Sequence, residues 1–160
     1  MNFKKVLLAV DASDNSFRAV EYAGEIIGGA ADFQIEIFYV ERLPERDTFP
    51  DEDSWEEACL AQKDRVSDFL KKAEQTLVEK GVRPEIISTR YLRSSQFMGS
   101  PEDAGFRGAA NQILHAQQEG GFGTLVVGRR GVSKAEEFLF GSVSTKIIHH
   151  SKNCSVWVVE

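Results

Sequence analysis

Short apolar runs alternate along the chain with segments whose apolar residues recur at helical spacing. Val6–Val10 is apolar throughout, which is typical of a strand buried on both faces of a sheet. Four further strands are predicted from comparable runs, at Gln34–Val40, Glu85–Leu92, Thr124–Val127 and Ser155–Val159.

The segments between these strands predict four helices. The first ends at Gly28-Gly29, and its apolar face is formed by Ala19, Val20, Ala23, Ile26 and Ile27. The second runs from about Trp55 to Lys80 and ends at Gly81, with Leu60, Val66, Phe69, Leu70, Ala73 and Leu77 along one side. The other two are predicted over Ala109–Gln118 and Ser142–His150. The acidic residues 41–57 predict a solvated loop that leads into the second helix.

The resulting order, β-α-β-α-β-α-β-α-β, predicts an α/β fold. A mostly parallel sheet with right-handed crossovers and helices on both faces follows from this alternation. The length of 160 residues fits a single domain over residues 1–160. Residues 93–107 show no clean period and interrupt the pattern.

Composition and charge narrow the classes of function. Acidic residues outnumber basic ones by 25 to 19, so the chain lacks the basic excess typical of nucleic-acid binders. No apolar run is long enough to cross a bilayer, and Asp11 ends the first run too early for a signal peptide. The two cysteines give no disulfide framework and fit a reducing compartment. We therefore expect a cytoplasmic protein with neither nucleic-acid nor membrane partners.

A phosphate site is predicted after the fourth strand, since ligands of open α/β sheets bind at the carboxyl ends of the strands. The loop contains Gly128-Arg129-Arg130-Gly131, then nine residues, then Gly141-Ser142 at the start of a helix. Glycines let the backbone approach a phosphate, and a helix N-terminus favours an anion. Either arginine is able to add charge. The alternative is a tight turn followed by an ordinary helix start.

Other candidates also have two interpretations. Asp11 either caps the first helix or is available to a ligand, since Ser13 and Asp14 are equally good caps. His149, His150 and Cys154 are the only metal-like group. Adjacent histidines on a helix point about 100° apart, so stabilisation of a helix C-terminus is favoured over a metal site.

The spacing Gly-x2-Gly-x9-Gly-Ser resembles that of the ATP-binding branch of the universal stress protein family. The opening Val6–Ser13 with Ser16, the pair Tyr39-Val40, and the closing segments Gly141–His150 and Asn153–Val159 also resemble the family. The resemblance implies a Rossmann-like fold of the adenine nucleotide alpha hydrolase type, with an open five-stranded parallel sheet in the order 3-2-1-4-5. It further implies a homodimer through Ser155–Val159.

The resemblance also implies the binding residues. Asp11 and Val40 are expected at the adenosine end, and the glycine loop with Ser142 and Val143 around the ribose and phosphates. The predicted nucleotide-binding residues are Ala9, Val10, Asp11, Val40, Gly128, Arg129, Arg130, Gly131, Gly141, Ser142, Val143 and Ser144. No catalytic or metal-ligating residue is predicted, and any Mg²⁺ is expected to be held through the phosphates.

Two departures from the family pattern stand out. Ala12 occupies the position of a usual glycine, and the segment between Tyr91 and Ala109 is longer than the family norm. Either Gly99-Ser100-Pro101 or the region near Arg107 corresponds to the family's Gly-x-Pro. The segment 93–107 is therefore predicted to contain an insertion.

The predicted function is ATP-binding regulation in a stress response. No Walker Gly-x4-Gly-Lys-Ser/Thr motif occurs, so little or no hydrolysis is expected. The alternatives are a dimeric interaction module of the same fold that binds no nucleotide, and a slow ATP hydrolase.

Overall fold

Five strands and four α-helices alternate in a computed structural model that describes residues 2–93, 108–129 and 142–160. The strands are β1 Asn2–Val10, β2 Gln34–Val40, β3 Ile87–Leu92, β4 Phe122–Gly128 and β5 Ser155–Val159. The helices are α1 Asp14–Ile27, α2 Glu52–Glu79, α3 Ala109–Gly120 and α4 Ser142–His150. The predicted insertion within 93–107 lies almost wholly outside the described residues.

All strand pairs are parallel, and the sheet order is β3-β2-β1-β4-β5. The predicted sheet is therefore confirmed. The central strand β1 places Val10 opposite Tyr39 of β2 and Ala9 opposite Val127 of β4. The carboxyl ends of these three strands meet at one edge of the sheet, which is where a ligand site is expected.

Alternation along β1 divides the core into two layers. Val6, Leu8 and Val10 pack with α1 and α2 on one face of the sheet. Leu7 and Ala9 pack with α3 and α4 on the other face. Because β1 is buried on both faces, it needs the continuous apolar run that the sequence shows.

Several predicted boundaries and core positions differ from the structure. Leu60 is 64% exposed and Ile26 is 50% exposed, although both continue an apolar helical pattern. In α2 the buried residues begin only at Val66, so Leu60 precedes the part that packs on the core. β3 begins at Ile87 rather than Glu85 because Pro84–Ile86 forms a 3-10 turn.

Other elements extend beyond their predicted limits. β1 begins at Asn2 and β4 at Phe122, since these two residues pair opposite each other in the sheet. α2 begins at Glu52, where Asp51 accepts a hydrogen bond from the backbone N–H of Ser54 at 2.8 Å. The helix therefore starts within the acidic stretch that was predicted as a loop.

The loop between β2 and α2 is attached to the helix that follows it. The indole Nε1 of Trp55 donates to the carbonyl of Pro44 at 2.9 Å, and the amide of Gln62 donates to the carbonyl of Arg42. These contacts hold residues 42–44 against α2 at the carboxyl edge of the sheet. Among the described helices, none combines the length and apolar character that crossing a membrane requires.

Candidate functional site

A cavity of about 610 Å³ opens at the carboxyl edge of the sheet, beside the ends of β1, β2 and β4. Parts of α1, α2, α3 and α4 complete its described walls. Its volume lies within the range typical of small-molecule sites. The cavity is therefore at the position that the fold predicts for a ligand.

Residues predicted from three separate parts of the sequence line this cavity together: Ala9, Val10, Asp11, Val40, Gly128, Ser142, Val143 and Ser144. Val40 is buried with 6% of its surface exposed and ends β2, whereas Ser142 begins α4. An apolar wall and a helix N-terminus therefore face the same space. Arg130, Gly131 and Gly141 lie outside the described residues, so their predicted roles remain predictions.

Asp11 is fixed by the turn between β1 and α1. Its Oδ1 accepts hydrogen bonds from the backbone N–H of Ser13 at 3.1 Å and from the Ser13 hydroxyl at 2.5 Å. Ser13 is the N-cap of α1, where its hydroxyl oxygen accepts a hydrogen bond from the backbone N–H of Ser16 at 3.2 Å. Of the two predicted roles for Asp11, the cap therefore belongs to Ser13, while Asp11 orders the turn at the cavity wall.

Ala12 adopts a left-handed backbone conformation, with φ of +62°. A glycine tolerates this conformation without steric cost, whereas an L-residue with a Cβ is strained there. Ala12, which departs from the family pattern, therefore adopts the backbone conformation that glycine favours in this turn.

Gly128 has a structural reason to be glycine that does not involve a ligand. A Cβ at this position would lie 2.8 Å from the carbonyl carbon of Asn15 and 3.0 Å from the backbone nitrogen of Ser16. Both atoms belong to the first turn of α1, which packs against the end of β4. The absence of a side chain at Gly128 therefore brings two walls of the cavity together.

Arg129 has partners at the chain terminus. Its backbone N–H donates to the carbonyl of Val159 at 2.6 Å, and its guanidinium forms an ion pair with Glu160. Its own carbonyl accepts a hydrogen bond from the Ser144 hydroxyl at 2.7 Å. Arg129 is not among the described residues of the cavity wall, so its predicted interaction with phosphate remains a prediction.

The structure adds a wall that the sequence did not predict. Tyr39, Arg42, Gln62, Arg65 and Lys72 all line the cavity. Gln62, Arg65 and Lys72 belong to α2. Gln62 precedes Arg65 by three residues and Arg65 precedes Lys72 by seven, a spacing that places all three on one face of the helix. Burial raises the pKa of the Tyr39 phenol, an effect that a hydrogen bond with Gln62 partly offsets. The helical spacing of these three polar residues is visible in the sequence. Polar residues at this spacing normally indicate a solvated helix face, so they did not predict a cavity wall.

The two histidines predicted near a helix C-terminus lie at the end of α4. His149 and His150 are both exposed in the last turn, and Nδ1 of His150 lies 2.9 Å from the carbonyl of Lys146. In the described ranges, no three histidine, cysteine or acidic side chains gather into a group able to hold a metal ion.

Proteins of established family match this chain over nearly its whole length. The universal stress protein MJ0531 of Methanocaldococcus jannaschii is 29% identical over 160 residues, covering 99% of this chain and 82% of that protein. The universal stress protein YxiE of Bacillus subtilis is 29% identical over 164 residues, covering 98% and 99%.

Solved structures share the fold. A universal stress protein in complex with cAMP superposes with a TM-score of 0.65 at 23% identity, covering 100% of this chain and 98% of that one. The universal stress protein from Archaeoglobus fulgidus in complex with dAMP gives a TM-score of 0.62 at 17% identity, covering both chains completely. A model of the universal stress protein family matches residues 2–160, and this chain therefore belongs to that family.

Proposed function

We propose that this protein binds an adenine nucleotide in the cavity at the carboxyl edge of the sheet, with ATP as the expected ligand. The observation that carries the proposal is the convergence of Asp11, Val40 and Ser142 on one cavity. Asp11 follows β1, Val40 ends β2 and Ser142 begins α4. Asp11 and Val40 were predicted at the adenosine end of the nucleotide, and Ser142 near the ribose and phosphates. The complexes of two similar structures with cAMP and dAMP support an adenine nucleotide as the ligand.

The chemistry of the walls suits the two ends of such a ligand. Val40 offers an apolar surface to a base, and the Asp11 carboxylate is able to accept hydrogen bonds from an amino or ribose hydroxyl group. The first turn of α4, beginning at Ser142, has backbone N–H groups without helical partners. These groups and the helix dipole favour a phosphate. The base would therefore lie near β2 and the phosphates near α4.

Occupancy by the nucleotide, rather than its turnover, is the proposed signal in a stress response. The sequence has no Walker motif, so no lysine of that type is available to stabilise the phosphoryl group. Any Mg²⁺ would be coordinated mainly by the phosphates and water. Little or no hydrolysis is expected.

The proposal includes a homodimer through β5 and a cytoplasmic location. β5 pairs with β4 along one edge, and in the described part of the sheet its other edge has no partner strand. Pairing of this edge with a second copy would satisfy its backbone groups. Sedimentation as a dimer at micromolar concentration is the expected result, and a monomer would contradict this part of the proposal.

The nucleotide proposal is tested by denaturing purified protein and identifying what it releases, and then by titrating ATP into wild type and Gly131→Val. Co-purified or saturable ATP binding that the valine abolishes is expected, since a valine there obstructs the predicted approach of phosphate to the backbone. Absence of binding by the folded wild-type protein would favour the interaction module. Steady release of ADP from added ATP would favour the slow hydrolase.

A further inference from the structure

Three basic side chains line the side of the cavity formed by α2 and the loop before it. Arg42 follows β2, and Arg65 and Lys72 lie on α2. All three are exposed at the cavity wall, and none of them has an ion-pair partner within 4.0 Å in the part of the chain that the structure describes. In a chain with a net charge of −6, this is a local concentration of positive charge.

The acidic side chains of the described wall only partly offset these cations. Two carboxylates, Asp11 and Asp68, line the cavity. The Asp68 carboxylate lies 4.0 Å from the Nζ of Lys71, a residue that does not line the cavity, and Oδ1 of Asp11 accepts two hydrogen bonds from Ser13. The titratable groups of the described wall therefore carry an excess of positive charge.

The position of Lys72 is stabilised by an aromatic pair. Its Nζ lies 4.3 Å from the centre of the Phe17 ring, and Phe17 packs edge-on against Phe69 with the ring centres 6.0 Å apart. A cation–π contact holds an ammonium group without using its N–H donors in conventional hydrogen bonds. Lys72 therefore lies beside the cavity, and its N–H groups are able to donate hydrogen bonds to an anion.

The basic wall and the predicted phosphate site lie on different sides of the cavity. α2 packs on one face of the sheet through Val66 and Leu70, whereas α4 packs on the opposite face through Ile147. Arg65 and Lys72 are seven residues apart, which separates their positions by about 10 Å along the helix axis. Phosphate groups held at the start of α4, on the opposite face of the sheet, would leave the basic wall of α2 without an anionic partner.

We propose that Arg42, Arg65 and Lys72 form a second anion subsite, so that the cavity takes an adenine nucleotide carrying a phosphate group separate from its 5′ phosphate. This inference rests on the proposed function, because it assumes that an adenine nucleotide occupies the cavity. Adenosine 3′,5′-bisphosphate is the simplest probe, since it differs from AMP by one phosphate group.

The test is calorimetric titration of AMP and of adenosine 3′,5′-bisphosphate into wild type and into the double variant Arg65→Gln/Lys72→Gln. Charge-assisted hydrogen bonds are expected to make the bisphosphate bind wild type about tenfold or more tightly than AMP. The double variant is expected to lose most of this preference. Arg42→Gln, which lies outside α2, is expected to reduce the preference in the same direction.

The matched control is Lys63→Gln/Lys152→Gln, which removes two exposed charges, one on α2 and one after α4, outside the cavity wall. This control is expected to keep the full preference for the bisphosphate. Equal binding of the two nucleotides by wild type would overturn the second subsite and leave the proposed function intact. An equal loss of preference in both double variants would also overturn it, because net charge alone would explain the effect. Failure of wild type to bind any adenine nucleotide would overturn both proposals.

Discussion

One carboxylate oxygen of Asp11 accepts two hydrogen bonds from Ser13, at 3.1 Å from the backbone N–H and 2.5 Å from the hydroxyl. Ser13 in turn caps α1. The residue predicted to contact the ligand is therefore linked to the start of a helix through a single neighbour. Substitution of Asp11 is expected to affect both the turn and the ligand, whereas substitution of Ser13 affects mainly the turn.

The two roles of Asp11 are separated by comparing Asp11→Ala with Ser13→Ala. Loss of the cap in Ser13→Ala is expected to lower the free energy of unfolding by about 1 kcal/mol with a small effect on ATP affinity. Asp11→Ala is expected to lower stability to a similar extent and to weaken ATP binding about tenfold, equivalent to about 1.4 kcal/mol. Chemical denaturation and calorimetric titration measure the two effects. Unchanged ATP affinity in Asp11→Ala would show that the carboxylate does not contact the ligand.

Ala12→Gly is expected to stabilise the protein. The positive φ of Ala12 strains an L-residue by about 1 kcal/mol, and glycine relieves that strain, although the loss of a methyl packed near the core reduces the gain. The control is Ala61→Gly, at an exposed position inside α2, where glycine is expected to destabilise by about 1 kcal/mol. Urea denaturation should show opposite signs for the two variants. A loss of stability in both would contradict the assigned turn conformation.

Gly128→Ala is expected to lower the free energy of unfolding by about 1–3 kcal/mol, because the new methyl would overlap the backbone at Asn15 and Ser16. The comparison variant is Gly121→Ala, where the backbone φ is +64° but the Cβ position has open space. Its cost is expected to be about 1 kcal/mol, from backbone strain alone. Thermal unfolding of both variants checks the ranking. A neutral effect at Gly128 would mean that α1 and β4 are not packed as closely as described.

Alkaline pH is expected to destabilise the protein through Tyr91. Burial chiefly raises the pKa of this phenol, and its 2.8 Å hydrogen bond to the Glu41 carboxylate raises it further. Because the folded-state pKa lies above the unfolded value of 10.0, this stabilisation is fully present below pH 10. It is lost as the pH rises above that value, since the unfolded chain then binds fewer protons than the folded one.

Denaturation midpoints measured between about pH 9 and about pH 11 test the role of Tyr91, with Tyr91→Phe as the control. The variant is expected to show a shallower decline in stability across this range. The Tyr39 phenol, whose pKa burial also raises, should account for part of the decline that remains. Identical declines in wild type and Tyr91→Phe would contradict the assignment.

The sequence predicted the fold well because β1 and the strands around it bury both faces. A continuous apolar run and a regular alternation with helices leave few arrangements open. The limits of β2, α4 and β5 were predicted correctly, since turn or polar residues bound each of them. The errors concern strand limits that side-chain pattern does not set. β1 begins at Asn2 because that residue pairs opposite Phe122 in β4, and the start of β3 is delayed by the 3-10 turn that begins at Pro84.

The candidate site was predicted only where its residues follow strands or begin a helix. Asp11, Val40 and Ser142 stand at such junctions, and topology brings the junctions to one edge. Arg65 and Lys72 lie in the middle of a long helix, where a polar residue facing a cavity has the same pattern as one facing solvent. Only the packing of α2 against the sheet distinguishes the two cases.

The central claim, that an adenine nucleotide occupies this cavity, is tested most directly by filling the cavity. Ala109 lines it from the first turn of α3, and Ala109→Phe places a ring in the space proposed for the ligand. Calorimetric titration of ATP into this variant, wild type and the exposed control Ala61→Phe compares the same added bulk inside and outside the site. Saturable binding by wild type and Ala61→Phe, with loss in folded Ala109→Phe, is the predicted result. Equal binding by all three proteins would place the nucleotide elsewhere and contradict the account.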